Sequence, residues 1–479
     1  MRKIYYTFAW VAVCFLILTL GSGCTMAPSY VRPDAPIPNT YPVSASTVGE
    51  TTAESTGETD PLPGWKTFFR DAPMRRVIEL ALVNNRDLRV SMLNIEKTRA
   101  QYRIQRADLL PTINASGSAT NQHSPADLRS AGVKGVDRQY SASLGFSAFE
   151  LDLFGRIRSL TNQALETYYS VEEEAKAAQL SLVAETAAMY LQLVADREIY
   201  DLTAATAESR RKTHDLMLEK FGAGVASDLD VSQARTLLEE AMVSLASAAT
   251  KVGQDQNYLE LLMGCPLPGN LPEVRRLAHV EALADLPEGL PSSLLARRPD
   301  IRAAEHTLKG ANASIGAARA NFFPTISLTG AFGKMSSDYN NLFDAGSKAW
   351  SFMPQVTLPI FDMGRNLSQL DVANTEKSIA IARYEKSIQT AFREVGDALV
   401  QRTYIGSQLT AQEALVAATG KSVEHANTRY GAGVGSFLDL LDAERSLYSA
   451  RSGLISARLL RESNALTLYK ALGGGWEDS

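Results

Sequence analysis

The residues that most readily betray chemistry are scarce in this chain. Its 479 residues include three cysteines and five histidines, and the histidines, at 123, 214, 279, 306 and 425, are scattered without metal-ligand spacing. No Ser/His/Asp set, acid pair or phosphate-binding loop stands out, so no enzyme, cofactor or metal is expected. The net charge of −5 is modest and the basic residues are dispersed, which leaves nucleic-acid binding without electrostatic support. Beyond the N-terminus no apolar run approaches the roughly 20 residues of a spanning helix. Any passage through a membrane must use another device.

The N-terminus does carry an apolar segment. Arg2 and Lys3 precede a run from Ile4 to Leu20, then Gly21-Ser22-Gly23-Cys24, so residues 1–23 read as a signal peptide. The small-small-Cys ending resembles a bacterial lipobox with Cys24 as the lipidated residue, although Leu20 stands one place further from the Cys than that pattern asks. No Asp follows Cys24 to mark retention in an inner membrane. Cys14 leaves with the signal, and an acylated Cys24 leaves Cys265 alone, so no disulfide framework is expected. Residues 24–63, rich in Pro, Ser and Thr, read as a lipidated extended tether, with order beginning near Trp65.

The rest is written twice. RADLLPTINASGSAT at 106–120 matches RANFFPTISLTGAFG at 319–333 with an offset of 213 (Pro324 against Pro111). GAGVASDLDVSQA at 222–234 matches GAGVGSFLDLLDA at 431–443 with an offset of 209 (Gly431 against Gly222). A tandem duplication follows, with repeats at 64–275 and 276–479. The four-residue difference is expected between 120 and 150. Each repeat reads as helix, strand, loop, strand, very long helix, Gly-rich turn and further helix.

Strands are expected at about 111–121, 138–153, 324–334 and 349–361. In each, small hydroxyl residues alternate with apolar ones, as in Ser141, Ser143 and Ser147 against Tyr140, Leu144 and Phe146. Such alternation in an exported chain is how transmembrane β-strands read. Pro354 and Pro359 sit awkwardly in the fourth. Four strands cannot close a barrel and an open edge cannot face lipid, so several chains must pool them; three give twelve strands. The span 156–221 contains neither Pro nor Gly, and its counterpart 365–430 contains Gly396, Gly406 and Gly420, which read as interruptions. At 1.5 Å per residue each long helix reaches about 100 Å.

These residues resemble the TolC-like outer-membrane efflux factors, in the OprM-like lipoprotein branch. The carrying motifs are Arg297-Arg298-Pro299-Asp300-Ile301 with Glu305, Pro354-Gln355-Val356-Thr357-Leu358-Pro359, and Arg429-Tyr430-Gly431-Ala432-Gly433-Val434. The resemblance covers essentially the whole mature chain. It implies a mixed α and β membrane protein: a homotrimer with a twelve-stranded outer-membrane β-barrel in outer-membrane lipid and a long periplasmic α-barrel. It implies a passive exit duct for drugs or other small molecules, joined through a periplasmic adaptor to an inner-membrane transporter of RND type. Ducts for metal ions or for type I protein secretion are the alternatives. The turns at Gly222, Gly224, Val225 and Ser227 and at Gly431, Gly433, Val434 and Ser436 are implied to dock the adaptor, with Ser227 and Ser436 capping the helices that follow. The gate is implied at Leu438, Asp442 and Arg445, one face of a helix at spacings of four and three; the first repeat has Leu229, Gln233 and Thr236 there.

Overall fold

A computed structural model describes residues 25–38, 41, 64–123, 125, 136–269, 274, 276–280, 283 and 297–474. The signal segment 1–23 and Cys24 lie outside the described residues, as does most of 39–63. The fold is mostly helical, with one four-stranded antiparallel sheet. In chain order the elements are α1 (Trp65–Phe68), α2 (Ala72–Asn84), α3 (Arg86–Ala107), β1 (Asn114–His123), β2 (Val136–Leu151), α4 (Arg156–Gly222), α5 (Asp228–Met263), α6 (Pro299–Ala320), β3 (Thr325–Ser336), β4 (Lys348–Thr357), α7 (Arg365–Gly431) and α8 (Phe437–Ala471). No described helix is long and apolar enough to cross a membrane.

The chain packs as two compact units, each drawing on both halves of the sequence. The first holds the described residues of Met1–Asp34 with Asn94–Glu172 and Ala303–Glu385, and contains the sheet. Here the described start of the expected tether, residues 25–34, is docked on the unit. Arg32 pairs with Glu305, Asn312 Nδ2 donates to the Pro28 carbonyl at 2.7 Å, and Arg319 donates to that of Met26 at 3.4 Å. Ala27 fills the notch at Gly316, where an added Cβ would lie 2.8 Å from the Ala27 Cα. Polar partners at this spacing along α6 fix the register of the strap.

The sheet runs β1-β2-β3-β4, each neighbour antiparallel. Asn114 faces Gly145 in the first hairpin and Ser327 faces Gln355 in the second. The offset is therefore 213 in the leading strands (Ser327 against Asn114) and 210 in the returning ones (Gln355 against Gly145). The last residue of the difference falls between Asp152-Leu153-Phe154-Gly155 and Asp362-Met363-Gly364, so not all four lie between 120 and 150. These Asp residues start the long helices: Asp152 Oδ2 accepts from the Arg158 N–H at 2.8 Å and Asp362 Oδ2 from that of Asn366 at 3.0 Å. A carboxylate on unpaired N–H groups suits the positive end of a helix.

One expectation is corrected. β4 stops at Thr357, so Pro359 lies outside it; β3 begins at Thr325, and no partner backbone remains beyond the Thr325–Thr357 pair. Pro354 stays inside, tolerated because β4 is an edge of the sheet within the chain. The second long helix is present as expected: α7 is one 67-residue helix running through Gly396, Gly406 and Gly420, the same length as α4. Each glycine costs about 1 kcal/mol relative to alanine, which burial of Tyr384, Ile388, Ala391, Val395 and Ala398 offsets.

The second unit holds the remaining described residues, from Ala35–Leu93, Glu173–Arg302 and Lys386–Ser479. Its core includes Phe68, Phe69, Met74, Ile78, Leu191, Leu193, Leu259, Met263 and Tyr469. Phe68 stacks on Tyr469 at 4.1 Å. Arg298 is buried and ties three segments together, donating to the Ala471 carbonyl at 2.6 Å and pairing with Asp300 and Glu394.

Candidate functional site: the sheet faces and the two helical turns

Strand alternation sorts the sheet into two faces. On one, hydroxyls bridge the first hairpin, Ser116 to Ser143 at 3.0 Å and Ser118 to Ser141 at 2.7 Å. On the other, Leu144, Phe332 and Trp350 lie on one row across three strands, with Phe352 and Val356 further along β4. These apolar residues are exposed, Trp350 to 77%. Near the helix end Ser147 and Ala148 bulge opposite Thr329, and the Ala148 N–H donates to the Thr329 hydroxyl at 3.0 Å. Within one chain, β1 and β4 each leave an unpaired edge.

The turns expected at Gly222–Ser227 and Gly431–Ser436 are present and share one hydrogen-bond pattern. Gly224 donates to the Phe221 carbonyl at 2.9 Å and Val225 to that of Lys220 at 2.9 Å; Gly433 and Val434 repeat this with Tyr430 and Arg429, both at 3.0 Å. Gly224 and Gly433 sit at φ +74° and +72°, the left-handed conformation that this helix ending needs. Ser227 and Ser436 then cap α5 and α8, their hydroxyls accepting from Asp230 and Asp439 N–H groups. The Ser227 hydroxyl and N–H both donate to Asp230, which holds that carboxyl below its ordinary range. Val225 and Val434, 76% and 68% exposed, stand at the apices.

Leu438, Asp442 and Arg445 come together as one exposed stripe on α8. The Arg445 guanidinium donates to Asp442, with both side chains more than half exposed. A neighbouring side of α8 is buried: Phe437 and Leu441 pack with Met217 and Ala234, flanked by Val231, Leu237 and Tyr430. That cluster anchors the helix and leaves the stripe exposed, its charges paired with each other. In the first repeat Leu229 is exposed, but Gln233 and Thr236 supply no charge.

Other contacts near the turns carry no periodic signal in sequence. The Lys220 ammonium lies 4.6 Å from the Tyr430 ring centre and donates to its hydroxyl at 3.3 Å. Arg210 is buried and donates to the Leu237 carbonyl at 2.9 Å. Glu444 on α8 is pushed up by burial, against the pull of Arg210. Farther along, the Asp255 carboxyl on α5 meets Asp196 on α4 and is pushed up to about 7 by burial and by that neighbour. Among the described residues no three potential metal ligands cluster.

Similarity to known proteins runs along the whole arrangement of strands, long helices and turns. The outer membrane efflux protein family matches residues 77–265 and 290–474. The antibiotic efflux pump outer membrane protein ArpC of Pseudomonas putida is 46% identical over 454 residues, 95% of this chain and 93% of that protein. The solvent efflux pump outer membrane protein SrpC, also of Pseudomonas putida, is 45% identical over 465 residues, 97% of this chain and 98% of its own. Among solved structures, the open state of the MtrE outer membrane channel of Neisseria gonorrhoeae superposes with a TM-score of 0.83 at 38% identity, covering 94% of this chain and 98% of that one. Sequence and fold agree across both halves, and the chain belongs to the outer membrane efflux protein family.

Proposed function

We propose that this chain is the passive outer-membrane exit duct of a tripartite efflux pump. One observation carries the reading: a four-stranded sheet with an apolar exposed face and two unpaired edges continues into two 67-residue helices. An edge left in hydrocarbon costs several kcal/mol per unsatisfied group, so edges must meet other copies. Three chains give twelve strands, a size at which a barrel encloses a passage. The helices then supply a periplasmic tunnel, with the two turns at its far end facing a periplasmic adaptor and, through it, an inner-membrane transporter of RND type. Relatives named for antibiotic and solvent efflux point to small molecules as cargo. Leu438, Asp442 and Arg445 form the gate, their stripe free to meet its symmetry copies.

Lipidation at Cys24 fits the same reading. The strap from Met26 to Arg32 runs along α6, with Met26 bonded to Arg319 near the start of β3. An acyl chain just before the strap would therefore enter the membrane beside the strands. The test is assembly and conductance together. Purified protein in non-denaturing detergent should run as a trimer and form discrete channels in a planar bilayer; a stable, folded, non-conducting monomer would contradict the proposal.

A further inference from the structure

The apolar face of the sheet ends, at the hairpin side, in cations. On β4 Lys348 stands two residues beyond Trp350, and on β2 Arg138 stands two residues beyond Tyr140, so each shares the face of its aromatic neighbour. Pairing makes the two positions equivalent. Arg138 faces Asn121 in the first hairpin, and Lys348 faces Lys334 in the second, at the same offsets of 210 and 213 that relate the rest of the strands. Lys334 therefore joins Lys348 on that face. Two like charges directly opposite on neighbouring strands repel. Lys334 is partly relieved, its ammonium donating to the carbonyls of Phe343 and Asp344. Neither Lys348 nor Arg138 has a carboxylate within ion-pair range among the described residues. Of the nearby acids, Asp137 alternates onto the opposite face, Asp338 accepts from the Asn340 N–H at 3.0 Å, and Asp344 meets Lys334 through its backbone carbonyl.

A band of aromatics followed by cations is the pattern of a membrane–water boundary. The helices lie at the other end of the strands, so this boundary is the external one, a conclusion that rests on the outer-membrane reading above. Cations on the lipid face at that depth need anions that come with the lipid. We infer that Arg138, Lys334 and Lys348 form a binding site for phosphate groups of outer-leaflet lipid. Lysine serves such phosphates as a point charge, and arginine as a planar donor. The site covers the mismatch of charge across the Lys334–Lys348 pair and ties the external rim of the sheet to the leaflet.

Native mass spectrometry of the full-length protein in detergent tests this, with three probes: diphosphorylated lipid A, its dephosphorylated form, and inorganic phosphate. The wild type should retain the phosphorylated lipid at least tenfold more tightly than the dephosphorylated one, and millimolar phosphate should not displace it. Each cation near a membrane surface contributes a factor of roughly five. Arg138→Gln with Lys348→Gln, which removes no bond seen in the structure, should abolish the preference, and Arg138→Lys should keep most of it. Equal retention of the two lipids, an unchanged preference in the double variant, or full displacement by inorganic phosphate would each overturn the site. Planar-bilayer conductance separates the two levels. A wild type that conducts but shows no lipid preference refutes this site alone, whereas one that neither conducts nor binds refutes the outer-membrane reading as well.

Discussion

At Gly222–Ser227 and at Gly431–Ser436 the chain closes the same hydrogen-bonded turn around a left-handed glycine and restarts with the same serine cap. The residue after the cap is Asp228 in one and Phe437 in the other. Phe437 drives into the cluster with Met217 and Ala234, and five residues on the charge pair Asp442–Arg445 begins on a different face of the helix. The first turn has neither feature. Backbone and caps encode a turn that both repeats need, while the side chains that follow give only the second one an anchored, charged stripe. Under the proposed gate, that asymmetry leaves the closing surface to the second repeat alone.

The comparison can be broken most forcefully at Phe437. Phe437→Ala should lower stability by about 3 kcal/mol, in the range for buried aromatic truncations, and loosen the second turn first. Hydrogen exchange would place the loss in 430–445. Asp228→Ala should cost well under 1 kcal/mol, because Asp228 is exposed. Similar losses at both positions would mean that the two turns are anchored alike.

The left-handed glycines should behave identically. Gly224→Ala and Gly433→Ala each force a side chain into that region, at about 1 kcal/mol. Thermal melts of the two variants should coincide within error. A marked difference would show that the shared backbone hides unequal strain.

A smaller contrast lies along the hairpins. Asp255 meets Asp196 in the first repeat; at the corresponding place, 209 residues on, Asn464 donates to the Ala398 carbonyl and to Gln401, both at 2.9 Å. Gln192, the counterpart of Gln401, donates to Asp196 at 2.7 Å, and Asp255 Oδ2 is buried without a hydrogen-bond partner. Lys251, one turn earlier on α5, partly opposes the upward shift of Asp255. Because the folded-state value lies above the unfolded one, stability is full below about pH 4 and declines as pH rises to about 7. Asp255→Asn should flatten that decline and raise stability at pH 8 by on the order of 1 kcal/mol, after allowing for solvent screening. Melting temperature against pH checks it, and an unchanged profile would exclude the pair as its source.

Much of this was legible in sequence because it repeats or alternates. The turns and their caps follow from single residues with one conformational task, such as Gly224 and Ser227. The strand faces follow from period-two patterning, and spacings of four and three put Leu438, Asp442 and Arg445 on one helix face, while a gate role for them is implied only by the family resemblance. What was not legible rests on long-range contact. The docking of Met26–Arg32 on α6 depends on Glu305 and Asn312, far away in sequence. The Lys220–Tyr430 contact, the Arg210–Glu444 attraction and the Asp196–Asp255 pair each join separate helices without a periodic trace. The glycines of α7 leave the expected long helix unbroken, because propensity is local and packing along 67 residues overrides it.

Single-channel recording of paired variants tests the asymmetry most directly. An exposed ion pair contributes at most about 1 kcal/mol, but in the proposed trimer three copies acting together would shift the proposed gate's closed-to-open equilibrium by roughly two decades. Asp442→Ala and Leu438→Ser should therefore raise open probability or conductance strongly, while Gln233→Ala and Leu229→Ser leave both close to wild type. Equal effects from the two repeats, or none from either, would return Leu438, Asp442 and Arg445 to ordinary exposed positions on a helix.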